Sequence, residues 1–327
     1  MVRIRFIQAI NTALREEMQR DDKVILFGED VEASIFGDTR GLIDTFGSRR
    51  VRNTPICENT LTGMAVGAAA SGYRVVLHMM FANFIYTGFD GIANQMARMR
   101  LMSGGQVQLP LTVIASYGGG RSNAAQHSDT PFAPVMNLGG IHVAVPANPA
   151  DAKGLLKSAI RCNDPVIFLE PGGRGGELGD VPDEEYLTPL GEAAVVRRGG
   201  DVTLIGMGSN MRTTLQAADM LAGDGIECEV VDCRSLAPLD EATLCAAAAC
   251  TGRVIVVDES RDRCSAASHI AAVLADRAFG DLRAPIKRIT VPDCSLPYAP
   301  ASESHLLPDA DKIVAAATTL VRAGEVT

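Results

Sequence analysis

The chain lacks most of the features that would place a protein at a glance. No apolar run approaches the roughly 20 residues a bilayer-spanning helix needs, which excludes a membrane-embedded role. There is no basic excess. Its 30 Lys and Arg stand against 39 Asp and Glu, for a formal net charge of -9. That balance argues against nucleic acid and anionic membrane as partners. None of the eight cysteines forms a Cys-x-x-Cys pair, and their scatter gives neither metal-finger spacing nor a secreted disulfide framework. They read as reduced thiols of a cytoplasmic protein. Residues Met1 to Arg20 carry charges throughout, unlike a signal or transit peptide. Gly-x-Gly-x-x-Gly, the P-loop pattern and the Gly-x-Ser-x-Gly elbow are missing too, so dinucleotide, nucleotide and serine-hydrolase readings have no support. Tryptophan is absent, and nothing functional follows from that.

What is present is an α/β alternation. With 327 residues, 47% hydrophobic and 21% charged, two domains are expected. Helical periodicity over Phe6–Arg20, Thr60–Gly72, Phe89–Met102 and Pro149–Arg161 alternates with short apolar strands. These strands start at Val24, Arg74, Leu111, Val143 and Val166. The glycine-rich stretch from Pro171 to Pro189 reads as a linker. A second alternation follows, with strands at Val202, Cys228, Val254 and Ile286 and helices over Met211–Ala222, Asp240–Ala249, Ala266–Ala278 and Asp309–Arg322. Such patterns predict two parallel-sheet domains, each covered by helices. Gly223-Asp224-Gly225 lies between a helix and a strand, and no Asn follows it before Thr327. It reads as a helix C-terminus and a turn.

Two side chains stand out. Glu58 precedes the helix at Thr60, between apolar Ile56 and Leu61, where a helix N-terminus favours a carboxylate. It reads as a cap or as a catalytic acid/base. His127 follows a Gly-rich loop and precedes Ser128-Asp129-Thr130-Pro131, a helix start. It reads as a turn residue or as an acid/base. The helix after Glu58 has Gly63 and Gly67 on one face with small neighbours. Either it is packed tightly inside, or it accepts another subunit closely.

In order along the chain come Gly28-Glu29-Asp30-Val31, Asn53-Thr54-Pro55-Ile56-x-Glu58, Phe84 to Asp90, Met102-Ser103-Gly104-Gly105, Ala125-Gln126-His127-Ser128 and Asp151-Ala152-Lys153-Gly154-Leu155. Together they resemble the β subunits of the thiamine-diphosphate-dependent pyruvate, branched-chain 2-oxoacid and acetoin dehydrogenase E1 components. Val257-Asp258-Glu259-Ser260, Arg263-Cys264-Ser265 and Leu307-Pro308-Asp309 are most similar to the acetoin branch. The resemblance implies a pyrimidine-binding domain over 1–180 and a transketolase C-terminal-like domain over 190–327. It implies an α2β2 heterotetramer whose α subunit holds Mg²⁺ and the diphosphate through a Gly-Asp-Gly motif, and a lipoyl-bearing E2 that receives the acyl group. It implies Glu58 on the pyrimidine ring nitrogen, Phe84 on the ring face with Ile56 and Met80 beside it, and His127 on the substrate side. A K⁺ site built partly from backbone carbonyls would match Leu111, Ala159, Ile160, Cys162 and Asp164.

The chain departs from the pattern at several places. His78 stands where a Glu is usual, Asn83 where an Asp is common, and Cys162 where an Asp is common. The loop from Glu32 to Thr39 is short, and the Pro171–Gly176 segment lacks the usual aromatic and basic residues. His78 reads as a second proton-transfer group or as a satisfied pocket histidine. Two rival readings follow. One is a split transketolase-like or carboligating enzyme without an E2. The other is a regulatory subunit without catalytic activity.

Overall fold

Strand composition explains the architecture. The strands β2 (Val24–Gly28), β4 (Arg74–Phe81), β5 (Leu111–Tyr117) and β7 (Val166–Pro171) are apolar almost without interruption, and β5 and β7 are buried at every position. Continuous apolar runs suit parallel strands covered on both faces, where alternation would leave polar groups in the core. The computed structural model describes residues 1–323. Around those strands the first part of the chain adds β1 (Val2–Arg5), α1 (Phe6–Arg20), α2 (Leu42–Phe46), β3 (Val51–Asn53), α3 (Glu58–Ala70), α4 (Met99–Met102), α5 (Phe132–Met136), β6 (His142–Ala144), α6 (Pro149–Arg161) and β8 (Leu178–Val181). The second part comprises β9 (Ala194–Arg197), β10 (Val202–Gly206), α7 (Asn210–Gly223), β11 (Cys228–Asp232), β12 (Ser235–Ala237), α8 (Glu241–Thr251), β13 (Val254–Arg261), α9 (Ala266–Arg277), β14 (Lys287–Val291), α10 (Pro300–Leu306) and α11 (Ala310–Ala323). No helix among the described residues is long and apolar enough to cross a membrane.

The chain forms two compact units, Met1–Tyr117 with Pro134–Leu190, and Gly118–Ala133 with Gly191 onward. In the first, the strand order β6-β7-β5-β4-β2-β3 is parallel at every pairing. One face is covered by α1 and α6. The α1 stripe Phe6, Ala9, Ile10, Ala13, Leu14 and Met18 is buried at helical spacing. In the second, the order is β14-β13-β10-β11-β9, parallel except for the edge pair of β11 with β9.

Two local expectations are corrected. The segment 171–189 is not free linker. Its strand β8 pairs antiparallel with β1, with Val2 opposite Val181 and Arg5 opposite Leu178. The Gly175 carbonyl accepts from Ile7 N at 3.0 Å, and the Thr188 carbonyl accepts from Ser158 Oγ at 2.6 Å. The chain start needs partners for its backbone groups, and this glycine-rich stretch supplies them. The helix expected over Phe89–Met102 is broken instead. Residues Gly91–Met96 form a wide π-type turn, with Ala97 N bonded to the Ile92 carbonyl at 2.9 Å, before α4 resumes. The cause is crowding against α3. A β-carbon on Gly91 would lie 2.1 Å from Thr62 Oγ1, and Thr62 Oγ1 also bonds the Gly88 carbonyl at 3.3 Å. Single π-turns inside helices kink them and frequently lie at functional sites.

Candidate active site

In the first unit, α3 begins at Glu58, two residues earlier than the sequence pattern implies, so this carboxylate sits in the helix's first turn. It is buried and near the positive end of the helix dipole. Glu29 follows the end of β2 and is buried beside it. The close approach of β2 to β4 is why residue 28 is glycine. A β-carbon there would lie 2.1 Å from the His78 carbonyl oxygen. Burial, followed by the negative charges of Glu58 and Asp30, pushes the Glu29 carboxyl up to about 7 despite the opposing pull of His78. Glu29 Oε1 is buried with no hydrogen-bond partner among the described residues. The sequence pattern contains Glu29 but gives it no role. Its weight in the site comes from burial next to a second carboxyl, which has no one-dimensional signature.

His78 faces the same strand edge. Its Nε2 lies 2.7 Å from Asp38 Oδ2, and its Nδ1 accepts from Met80 N–H at 3.2 Å. Burial disfavours charge on both partners. Their mutual attraction outweighs it, holding Asp38 below the ordinary carboxylate range and His78 above the ordinary imidazole value. Both ring nitrogens are engaged, the geometry of a satisfied pocket histidine. The short 32–39 loop supplies Asp38 and also Phe36, whose ring packs edge-on against Phe81 at 5.2 Å, and Phe81 packs in turn against Phe84 at 5.9 Å. Met80 sits at a bulge where β4 gains a residue over β5, with φ +52. Bulges of this kind re-aim side chains next to functional sites. Phe84 is half-buried in the turn after β4, and Ile56 is 79% exposed before α3. On the outer face of α3, Gly63 and Gly67 border open space.

His127 belongs to the second unit. Its loop leaves β5, yet it is built into the framework of β13 and α10. Gly118 N donates to the Asp129 carbonyl at 3.0 Å, and Asp129 pairs with Arg261 of β13 at 2.9 Å. Glu303 of α10, only 2% exposed, accepts from Gly120 N at 3.0 Å and Ser122 N at 2.8 Å. Ser122 and Ala124 hold left-handed backbone at φ +54 and +61. His127 closes a short 3₁₀ turn, Ala125–His127, and is half-buried. The structure therefore places Glu58, Met80, Phe84 and Ile56 in one unit and His127 in the other.

At the end of α6, the carbonyls of Ile160 and Cys162 accept from Arg74 Nη1 at 3.0 and 3.1 Å, with the Arg161 carbonyl at 3.1 Å. A guanidinium thus already serves two members of the carbonyl set Leu111, Ala159, Ile160, Cys162 and Asp164. Gly223-Asp224-Gly225 is the end of α7, with Gly225 left-handed at φ +79.

Comparison with known proteins decides the family. Residues 3–175 match the transketolase pyrimidine-binding domain and 191–313 the transketolase C-terminal domain. The chain is 43% identical over 327 residues, 96% of each protein, to the acetoin:2,6-dichlorophenolindophenol oxidoreductase subunit beta of Bacillus subtilis (strain 168). It is 42% identical to the pyruvate dehydrogenase E1 component subunit beta of the same organism, over 94% of this chain and 96% of that one. The 2-oxoisovalerate dehydrogenase subunit beta of that organism is 41% identical, over 95% and 96% respectively. The chain belongs to the E1 β-subunit family of 2-oxoacid and acetoin dehydrogenases. Among solved structures, a split-gene transketolase described as an inactive β4 tetramer matches with a TM-score of 0.80 at 26% identity, covering 96% of this chain and 97% of that one. For this E1 β-family chain, the matched pyrimidine-binding model runs continuously through 118–133, whereas the structure groups that loop with the second unit.

Proposed function

We propose that this chain is the β half of a thiamine-diphosphate-dependent E1 enzyme, active with an α subunit in an α2β2 assembly. The enzyme decarboxylates a 2-oxoacid or cleaves acetoin and passes the acyl or aldehyde unit to the lipoamide of an E2. One observation carries the reading. Glu29 and Glu58 are two buried carboxyls, near enough for the charge of Glu58 to raise Glu29, at the strand edge where parallel α/β sheets bind ligands. One of them keeps its proton to about neutral pH and has an oxygen with no partner among the described residues. That arrangement suits a heterocycle whose ring nitrogen must share a proton, as the aminopyrimidine does.

When bound, thiamine diphosphate supplies the electron sink for breaking the bond beside a carbonyl. The chain's own residues do the rest. Glu58 holds a proton between its carboxyl oxygen and the pyrimidine ring nitrogen, and Glu29 behind it resists a second full negative charge. Phe84 covers the ring face, with Met80 and Ile56 at its edges. His127 holds or moves a proton at its imidazole on the substrate side. Mg²⁺ and the diphosphate fall to the α subunit, because this chain's single Gly-Asp-Gly is a helix end. All eight cysteines are unpaired, which suits the reducing cytoplasm.

The test is an assay of the chain co-purified with its α subunit, using 2-oxoacids and acetoin with dichlorophenolindophenol and then lipoamide as acceptors. Turnover with either acceptor that disappears in Glu58→Gln supports the reading. Full activity in Glu58→Ala would instead make the chain a regulatory subunit. The likeness to the split transketolase favours a second reading, a carboligating enzyme without an E2. That enzyme would turn over with aldehyde acceptors and fail to acylate lipoamide.

A further inference from the structure

His142, Cys162 and Asp164 converge at one corner of the first unit from three different places. His142 opens β6, Cys162 caps α6 and Asp164 lies just before β7. One donor atom from each, a ring nitrogen, the thiol sulfur and a carboxylate oxygen, lies within 4.8 Å of the other two. His142 Nδ1 is buried and has no hydrogen-bond partner among the described residues. A buried imidazole nitrogen left without a partner is costly, and in native structures it calls for an explanation. We propose that these three side chains bind a divalent cation of the zinc class, with a water completing a tetrahedral set.

The donor chemistry selects the ion. Imidazole, thiolate and carboxylate together suit Zn²⁺ and exclude the all-oxygen shells of Mg²⁺ and Ca²⁺. A K⁺ site of the kind the family resemblance implies would instead use backbone carbonyls, two of which accept from Arg74 here. The backbone N–H of Asp164 donates to the Cys162 sulfur at 3.4 Å. Binding replaces the thiol proton, which passes to solvent. Asp164 also pairs with Arg100. A carboxylate has two oxygens, so it can hold the guanidinium on one and the metal on the other, the usual outer-shell arrangement. The ion would tie β6, the end of α6 and the start of β7 into one corner.

Cobalt(II) is the probe, titrated into the full chain co-purified with its α subunit after treatment with a chelator. The expected result is a saturable thiolate-to-cobalt absorption band that excess K⁺ leaves intact. Cys162→Ser should abolish it, and His142→Ala should weaken binding on the order of 100-fold or more, since even outer-shell losses cost 10–100-fold. A second readout needs no variant. Zn²⁺ should protect Cys162 from alkylation, read by peptide mass spectrometry, while the exposed Cys57, Cys250, Cys264 and Cys294 still react. A band that survives Cys162→Ser, or equal alkylation of Cys162 with and without Zn²⁺, would overturn the proposal. Neither readout involves turnover, and both can be taken on the full chain alone, so failure here is distinguishable from failure of the E1 reading.

Discussion

Glu29 is buried near the negative charge of Glu58, and this gives it a measurable signature. Its folded-state value of about 7 lies above the ordinary 4.5. The folded chain therefore binds a proton that the unfolded chain has released, so the stability linked to Glu29 is complete below about pH 4.5 and is lost as pH rises through 7. Glu29→Gln, which mimics the protonated form, should leave urea-unfolding stability unchanged near pH 4.5 and raise it by about 3 kcal/mol at pH 8 in the cofactor-free chain. An equal effect at both pH values would mean that Glu29 does not titrate in this window. Glu58→Gln tests the catalytic role: turnover should fall on the order of 10²–10⁴-fold, the usual contribution of a positioned acid/base. Retained turnover would remove Glu58 from the chemistry. Glu58 was legible in the sequence because a motif and a helix start coincide on it. Glu29 was not, because its burial depends on Gly28 lying against His78, fifty positions away, as the register of β2 with β4 sets it.

At the scale of elements, the seam between α1 and α6 rests on charge as well as on apolar packing. Glu17 is fully buried and accepts from Arg161 through both carboxylate oxygens, at 3.0 and 2.9 Å from Nε, with Arg20 Nε at 2.8 Å beside it. Lys157, also fully buried, reaches Glu16 Oε2 at 2.6 Å and pairs with Glu185. Removing one partner of a buried pair strands the other charge, which usually costs more than removing both. Arg161→Met should destabilise the chain by about 3 kcal/mol, near the low end for a broken buried pair because Arg20 remains. Adding Glu17→Gln should recover at least half of that loss in urea unfolding, and a double mutant worse than the single would contradict the argument. Both helices were legible to the residue, since each has an uninterrupted apolar stripe. Two other elements were not. The 89–102 segment has helical composition, but Thr62 presses on Gly91, a contact no local pattern reveals. The 171–189 segment has linker composition, but it completes the backbone bonding of β1.

At the scale of the whole molecule, Glu58 lies in one unit and His127 in the other. The sequence suggested a simple cut near residue 180. It could not show that residues 118–133 cluster with the second unit, because that assignment comes from long-range bonds such as those of Glu303 to Gly120 and Ser122. Nor do the described residues of either unit carry a recognisable diphosphate-binding element. The Gly-rich loop at 118–120 is taken up by Asp129 and Glu303, and the Gly-Asp-Gly segment ends α7. A ligand whose charged half finds no cradle among the described residues should bind weakly, since it forgoes charge-assisted hydrogen bonds, roughly twice as strong as neutral ones. Calorimetry with thiamine diphosphate and Mg²⁺ should show no tight binding to the isolated chain and stoichiometric binding to its complex with the α subunit. If the diphosphate contacts lie on the partner, as proposed, Glu58→Gln in the complex should weaken that binding less than it reduces turnover. Tight binding to the isolated chain would require a phosphate and metal site in these residues, and the division of labour between two subunits would fall with it.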